Sequence, residues 1–439
     1  MTVTLRLIST PTANLSYLVI AVYALFGRSQ IVQALTLSWL FSMINPALAA
    51  EAPYASIGRY TVLAAAALSI IFHSNSFRYS RRFNPIVRFT LMLGIFFVVH
   101  SYFFSPVVDV SILKAVSWTV AMCTLCAAWV GLTSVERDLL GLQIFTGLIV
   151  VLLVSLPLLL VPSVGYLRNG TGFQGILCHP QVFGPTMALL GAWASGQMLA
   201  QNRPSWSVVG LAGACLVLVV LSEARTSGVS LILGVTISAV VVPVLSGRST
   251  RLLLPGLRSR RVHLIVGLAL AFALGAGPMI GERIGSYISK RGEPVSFVQA
   301  YDNSRGRLIN IMWDNIKYEP LQGIGFGIAS VPALMIVKRD PVFHLPVSAV
   351  VEKGVLPLAV LEEVGVFGLL GVAIWGWMIL GRSARAGVGT LAVSITALLL
   401  NMGESTLFSP GGLGLLLLIL LSWAFANGYE GGGDDSNEC

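Results

Sequence analysis

The sequence predicts an all-α fold: a polytopic integral membrane protein with about 12–13 transmembrane helices. Of its 439 residues, 55% are hydrophobic and only 11% are charged, whereas soluble domains carry roughly 25% charged residues. The charges cluster between long apolar runs, a pattern that requires burial in a bilayer. The runs are continuous and do not alternate with period two, which favours helices over a membrane β-barrel.

Each transmembrane helix is predicted from an apolar run close to the ~20 residues needed to cross the hydrocarbon core. Along the chain these runs are 14–27, 30–49, 58–73, 86–104, 109–131, 139–161, 182–200, 206–222, 226–245, 262–281, 357–380, 388–402 and 411–427. The first run is short, and Arg28 separates it from the second. These two runs therefore form either one broken span or two spans.

The orientation of the spans follows from their short loops, because Lys and Arg accumulate on the cytoplasmic side. The basic loops are 246–261, the turn after residue 380 and the linker 74–85, and they fall on one side if the spans alternate. The opposite side is expected to receive 162–181, 223–226, 403–410 and the long segment 282–356.

This arrangement divides the chain into four parts. They are an N-terminal transmembrane bundle (1–281), a long loop with an amphipathic helix (282–356), C-terminal transmembrane helices (357–427) and a disordered acidic tail (428–439). A loop as long as 282–356 is more often functional than a plain connection.

Part of the long loop has the spacing of an amphipathic helix. Apolar residues recur there every three or four positions, at Leu308, Ile309, Met312, Trp313 and Ile316. Residues 302–304 offer an N-terminal cap and Pro320 ends the helix. The following stretch, 323–327 (GIGFG), is predicted to be a flexible glycine turn, and its spacing is wrong for dinucleotide binding.

Composition excludes several other functions. The net charge of +9 does not indicate a nucleic-acid partner, because the basic residues lie in short loops next to spans. Cys123, Cys126 and Cys215 lie inside apolar runs and are interpreted as buried thiols, not as a redox pair. The first apolar runs are interpreted as retained spans and not as a cleaved signal peptide.

Arg225 is the most informative single residue, since it lies in a tight turn between two apolar runs. Ionisable groups at membrane depth are costly and usually functional. The alternative is that Arg225 only anchors the turn to the lipid headgroups.

Arg305 and Arg307 flank Gly306 at the predicted start of the amphipathic helix. A helix N-terminus with two guanidinium groups suits an anion, because the planar guanidinium can grip phosphate oxygens in pairs. The alternative is that both are solvated and paired with Asp302 or Asp314.

Further polar candidates lie in the same set of loops. Arg168 and His179 could contact sugar hydroxyls, or could be an interfacial anchor and a helix cap. His344, Glu352 and Lys353 could supply a general base or a hydrogen-bond donor, or could be ordinary solvated residues.

Two adjacent acids, Glu362 and Glu363, are unusual at the start of an apolar run. We interpret one as a helix or substrate contact and the other as interfacial. The five histidines lack the spacing of a zinc site, so no metal is predicted.

Four passages, in this order along the chain, resemble the O-antigen ligase/polymerase superfamily of bacterial envelope glycosyltransferases. The passages are 173–181 (FQGILCHPQ), 222–228 (SEARTSG), 303–308 (NSRGRL) with Trp313 and 320–327 (PLQGIGFG), and 362–368 (EEVGVFG). They are similar to the family's FxGI…(N/H)P(N/Q), SxART-type turn, SGR…W…PLxGxGxG and ExGxxG motifs, and cover roughly 170–370. Each motif is weak alone, and the order of all four is what makes the resemblance specific.

The resemblance implies a multi-pass protein of the bacterial inner membrane whose active face is periplasmic. It implies transfer of a glycan from an undecaprenyl-diphosphate carrier to an acceptor glycan, with no cofactor and no required metal. The essential arginines of the family fall on Arg225 and Arg307, which would bind the diphosphate as its charge develops. A loop base, His344 or Glu352, would activate the acceptor, while Arg168, His179, Arg305, Lys353 and Glu363 would contact substrate.

The resemblance also sets the expected partners. They are the lipid-linked glycan, the acceptor glycan and membrane lipid, with a chain-length regulator as an additional candidate and no nucleic acid.

One departure from the family bears on the reaction. Ligases carry His-Asn shortly before the last Gly-x-x-Gly, whereas here His344 is followed by Leu345, far upstream of Gly365. This favours a polymerase of exopolysaccharide or O-antigen repeat units over a ligase.

A non-enzymatic transporter or flippase of lipid-linked glycans is the alternative of another class, although the sequence shows no convincing repeat of two halves. A sensor or assembly scaffold is a third hypothesis, and the sequence shows no cytosolic partner domain that would favour it.

Overall fold

The structure is a computed structural model that describes residues 2–73, 84–168, 170–247, 249–264, 306–340, 344, 346–349, 351 and 353–428. Its first half contains α1 (Thr2–Ile8), α2 (Thr10–Ala24), α3 (Arg28–Met43), α4 (Ala55–His73), α5 (Pro85–Phe104), α6 (Val108–Val130) and α7 (Ser134–Ser155). Then follow α8 (Pro162–Gly165), α9 (Pro180–Ala200), α10 (Trp206–Leu221), α11 (Arg225–Ser246) and α12 (Thr250–Leu253).

The last part of the chain contains α13 (Arg307–Tyr318), α14 (Leu356–Ala386), α15 (Val388–Leu400) and α16 (Leu413–Asn427). Two short antiparallel strands, β1 (Val337–Arg339) and β2 (Pro346–Ala349), precede α14 with Val337 opposite Ala349. This hairpin was not predicted. It is joined to the start of α6 by an ion pair of 2.5 Å between Arg339 and Asp109.

The prediction of a helical, multi-pass membrane protein is confirmed. Six of the described helices are long and apolar enough to cross a membrane: α4, α5, α6, α7 with its 3-10 extension to Leu160, α11 and α14. Three shorter apolar helices, α10, α15 and α16, accompany them.

Several helices, among them α7 and α9, start at a residue whose side chain caps the free amides. At α7 the Thr133 hydroxyl accepts from the Glu136 amide, and the Glu136 carboxylate accepts from the Thr133 amide at 2.9 Å. At α9 the His179 Nδ1 accepts from the Gln181 amide at 3.0 Å. Such caps satisfy donors that the helix itself leaves unpaired.

The first two apolar runs form separate helices, α2 and α3, joined by a short turn at residues 25–27. The Tyr23 hydroxyl donates to the Gln33 side-chain oxygen at 2.5 Å and ties the two helices together next to this turn. The sequence alone did not decide between one broken span and two spans, and the structure has two separate helices here. The predicted span 262–281 lies outside the described residues from 265 onward, as do the acidic tail from 429 and the predicted cap at 302–304.

Successive helices run antiparallel, so the described loops gather at two ends of the bundle. At one end, which we call the loop end, lie 44–54, 105–107, 166–179, 222–224, 319–331, 353–355 and 401–412. The Cys178 amide donates to the Met43 carbonyl there at 2.8 Å, and Leu356 to the Asn401 carbonyl at 2.9 Å. At the other end, the basic end, lie the turns 25–27, 131–133, 201–205 and 249–262, where Arg261 donates to the Pro204 carbonyl at 2.8 Å.

An aromatic cluster fixes the loop end to the core. The Phe97 ring of α5 stacks on Phe326 with centroids 4.3 Å apart, and Phe408 meets the Trp118 ring of α6 at 5.1 Å. Aromatic pairs of this kind add to the stabilisation from burial. Residues 320–331 are therefore held against the helices.

Candidate functional site

The centre of the candidate site is an opening in α14 at Gly365, which has φ 65° and ψ −170°. A Cβ at this position would lie 1.9 Å from the Leu321 carbonyl oxygen. This backbone conformation is essentially restricted to glycine. Only glycine therefore allows residues 320–327, which we call the glycine loop, to enter the helix here.

The glycine loop replaces the hydrogen bonds that α14 loses at the opening. The Val366 amide would bond the Glu362 carbonyl in a regular helix, but it donates to the Pro320 carbonyl at 3.1 Å. The carbonyls of Glu362 and Glu363 accept instead from the amides of Ile324, at 2.8 Å, and Gly325, at 2.9 Å. The predicted flexible turn is thus a loop fixed by backbone hydrogen bonds.

A buried ion network lies beside this loop. The Lys353 Nζ is 2.7 Å from Glu362 Oε2 and 3.1 Å from Glu363 Oε1, and the Lys353 side chain is 1% exposed. Lys353 is therefore not the solvated residue that the sequence alone favoured. Removing one partner of a buried ion pair costs more free energy of unfolding than removing one partner of a surface pair.

Glu362 connects the network to the amphipathic helix α13. Its carboxylate accepts from the Asn315 side-chain amide at 2.7 Å and from the Ser330 hydroxyl at 3.0 Å. On the same helix the Met312 and Ile316 side chains are buried. The predicted amphipathic helix is confirmed, with Arg307 as its first residue, but Trp313 of its predicted apolar stripe is exposed.

Glu363 connects the network to α6. Its carboxylate accepts from the Gly327 amide at 2.6 Å, and the Lys114 Nζ donates to the Gly327 carbonyl at 3.1 Å. Nearby, the His100 ring of α5 hydrogen-bonds to the Gln322 carbonyl. The glycine loop of the third motif and the fourth motif thus form one unit.

The first two motifs form a second unit around Arg225. The Phe173 amide donates to the Leu221 carbonyl at 2.8 Å, and the Thr171 hydroxyl to the Glu223 carboxylate at 3.0 Å. Glu223 has φ 55°, which turns the chain sharply before α11. Arg225 is the first residue of α11 and is half-buried.

The loop 401–407 connects the two units. The Ser405 amide donates to the Lys353 carbonyl at 2.8 Å, and Gly403 lies against the Thr226 side chain. The Asn401 side-chain oxygen shapes this loop by accepting from the amides of Thr406 and Leu407, each at 2.8 Å. Arg225 therefore lies at the same end of the bundle as the ion network.

The other predicted site residues are more dispersed. Arg307, Arg168 and His344 are exposed, while His179 caps α9. Arg305 and Glu352 lie outside the described residues. Burial raises the pKa of the Cys178 thiol next to His179, partly offset by a backbone hydrogen bond and by the charge of Arg168.

Sequence reasoning missed Lys114, His100, Asn315 and Asn401. Lys114 could have been found, because a lysine inside an otherwise apolar span is costly and usually has a function. The roles of Asn315 and Asn401 had no sequence signal, since they depend on contacts between distant segments.

Among the described residues no group of three or more His, Cys, Asp and Glu side chains could hold a metal ion. No protein-family model matches this chain. No curated protein matches it either.

Proposed function

We propose that this protein transfers an oligosaccharide from a lipid diphosphate to an acceptor glycan, and that it polymerises exopolysaccharide or O-antigen repeat units. The observation that carries the proposal is the grouping of the four motifs. In the first pair, residues 171–173 contact 221–223; in the second, the glycine loop enters 362–368; and 401–407 connects the two pairs. The motifs on which the resemblance depends are thus gathered at one end of the bundle.

The chemistry assigned to this end needs two kinds of group. The acceptor hydroxyl oxygen forms a bond to the anomeric carbon of the donor sugar, and the bond from that carbon to the diphosphate oxygen breaks. The lipid diphosphate leaves with the bonding electrons, and a base takes the hydroxyl proton. Cationic groups are needed where the leaving oxygen gains charge.

Arg225 and Arg307 are the proposed diphosphate ligands. Arg225 begins α11 and Arg307 begins α13, so each guanidinium adds its charge to the positive end of a helix. Arg307 is exposed and accessible to a substrate. The base is assigned to His344 or Glu352, as the resemblance implies.

Lys353 and Glu363 receive a positioning role in this proposal. Their charged groups contact each other and, through the Gly327 amide, the glycine loop. The carboxylate of Glu362 holds Asn315, so the same network fixes the helix that carries Arg307.

The transporter alternative is less well supported by the position of the charges. A transporter places its charges near the bilayer midplane. Glu362 is the seventh residue of α14, only ~9 Å from its start at 1.5 Å per residue. The ion network thus lies near one end of the helix.

The periplasmic location of the loop end is also part of the proposal. The basic end carries Arg203 and the acid-free segment 246–261 with its five arginines, which favours a cytoplasmic location. The loop end then faces the periplasm of the bacterial inner membrane.

The test compares surface and secreted polysaccharide from a strain lacking the protein, a strain with the protein and one with Arg225→Ala at equal protein level. We expect both defective strains to lose long chains and to accumulate single repeat units. Long chains that stay on the lipid carrier and never reach the acceptor would instead identify a ligase. Unchanged glycan in both strains would contradict the proposal and favour the transporter alternative.

A further inference from the structure

A cavity of about 250 Å³ opens at the loop end, apart from Arg225 and Arg307. It lies between α3, α4, α6 and α16, and the β2 strand and residues 409–412 line its mouth. Its lining includes two cationic side chains, Arg59 and Lys114, and no carboxylate. A concave site with a few converging polar groups is the usual form of a ligand site.

The two cations are held in place by hydrogen bonds to backbone carbonyls and, for Arg59, to a serine hydroxyl. Arg59 donates to the Gly411 carbonyl through Nη1 and to the Ser56 hydroxyl through Nη2 at 3.2 Å. Its Nε is buried and has no hydrogen-bond partner among the described residues. The Lys114 ammonium has three N–H donors and donates one of them to the Gly327 carbonyl, so further donors remain for a ligand.

The remaining lining is mainly apolar and extends deep into the bundle. Arg59 and Lys114 lie four and six residues after the starts of α4 and α6, about 6–9 Å from the loop end. Ala121 also lines the cavity, thirteen residues after the start of α6 and about 20 Å down. The two cations therefore lie in the outer part of the cavity, and Leu35, Leu63 and Ala121 line its deeper part.

We infer that this cavity binds the phosphate or diphosphate head group of a lipid, with the first carbons of the lipid chain in its apolar part. Two positive charges match a phosphate ester, which carries close to two negative charges at neutral pH. The guanidinium of Arg59 suits paired phosphate oxygens, and the ammonium of Lys114 acts as a point charge. A free phosphate would leave the apolar lining unused.

This inference stands on the cavity alone, but it has a consequence for the proposed function. A polymerase joins two lipid-linked units, so it must hold two lipid diphosphates at once. This part rests on the proposed function. Lys114 contacts the glycine loop, which places the cavity next to the motifs assigned to transfer.

The test is equilibrium binding to the full chain in nanodiscs of neutral phosphatidylcholine. The chain carries Arg225→Ala and Arg307→Ala, so that the other proposed anion contacts are absent. The probe is farnesyl diphosphate, compared with farnesol and with inorganic diphosphate. We expect saturable binding of farnesyl diphosphate, and at least about tenfold weaker binding of each comparator.

The variants test whether binding depends on the charges of Arg59 and Lys114 or only on an intact fold. Arg59→Gln and Lys114→Gln should each raise the Kd for farnesyl diphosphate by about tenfold or more. Arg59→Lys should bind better than Arg59→Gln but less well than the parent chain, because a point charge does not replace the planar guanidinium. Lys114→Arg should keep most of the binding, and Ala349→Phe should block the cavity without changing its charge. Arg203→Gln at the exposed basic end is the matched control and should leave the Kd unchanged.

Unaltered binding in both glutamine variants would overturn the inference. Equal affinity for inorganic diphosphate would show a free anion as the ligand, and equal affinity for farnesol an apolar site, and each would also overturn it. Since the assay reads binding and not transfer, a failure of the proposed enzymatic function would not affect its result.

Discussion

The Lys353 ammonium lies 2.7 Å from the Glu362 carboxylate, and both side chains are almost fully buried. Lys353 precedes α14, while the Glu362 carboxylate also holds Asn315 of α13 and Ser330. One buried ion pair thus joins α13, the loop at Ser330 and the start of α14, all within residues 315–362. The network therefore fixes α13 and the glycine loop against the start of α14.

Removal of the Lys353 charge should be strongly destabilising. Lys353→Met leaves two buried carboxylates without a counter-ion, and breaking a buried pair costs about 3–5 kcal/mol. Thermal unfolding of the protein in nanodiscs should show a clearly lower Tm. Lys317→Met breaks a surface pair with Asp314 and serves as the control, with an expected change below about 1 kcal/mol. An equal, small effect of both changes would contradict the structural role of Lys353.

Gly365 should tolerate no side chain. In Gly365→Ala the new Cβ meets the Leu321 carbonyl oxygen, so either α14 or the glycine loop must move. We expect a lower Tm and faster proteolysis within residues 320–327. Gly376→Ala lies on the same helix with open space around its Cβ, and it should leave the Tm unchanged or slightly higher. If the two alanine variants behaved alike, the opening at Gly365 would be contradicted.

Arg225 and Arg307 should be essential for transfer but not for folding. Arg225→Ala and Arg307→Ala should each lower the rate at least about a hundredfold, in line with the loss of a preorganised transition-state contact. Lysine at either position should also be poor, because a point charge does not replace the planar guanidinium. The measurement is polysaccharide yield at matched amounts of protein in the membrane. Nearly normal yield from both alanine variants would exclude this pair as the diphosphate site.

The two ends of the bundle should lie on opposite sides of the membrane. A cysteine at exposed Met402, at the loop end, should react in intact cells with a maleimide that does not cross the inner membrane. A cysteine at exposed Asn202, at the basic end, should react only after permeabilisation. The parent chain without an added cysteine is the control for its native thiols. The reverse labelling pattern would place the loop end in the cytoplasm.

The fold class was predictable because a bilayer leaves a long apolar run few alternatives to a helix. The helix in 308–316 was predictable for a similar reason, since its apolar spacing is visible locally. The opening at Gly365 was not, because it depends on contacts with the glycine loop at 320–327, a separate segment of the chain. The same holds for Lys353, whose buried position depends on its contacts with Glu362 and Glu363 in α14.

The central claim is tested most directly by reconstituting the pure protein with a lipid-diphosphate-linked repeat unit in vesicles. We predict lipid-linked chains of two or more repeats and one lipid diphosphate released for each bond formed, with both lost in Arg225→Ala and Arg307→Ala. Release without chain growth, restored by a separate glycan acceptor, would identify a ligase. Movement of the intact lipid-linked unit across the membrane with no release of lipid diphosphate would contradict a transferase.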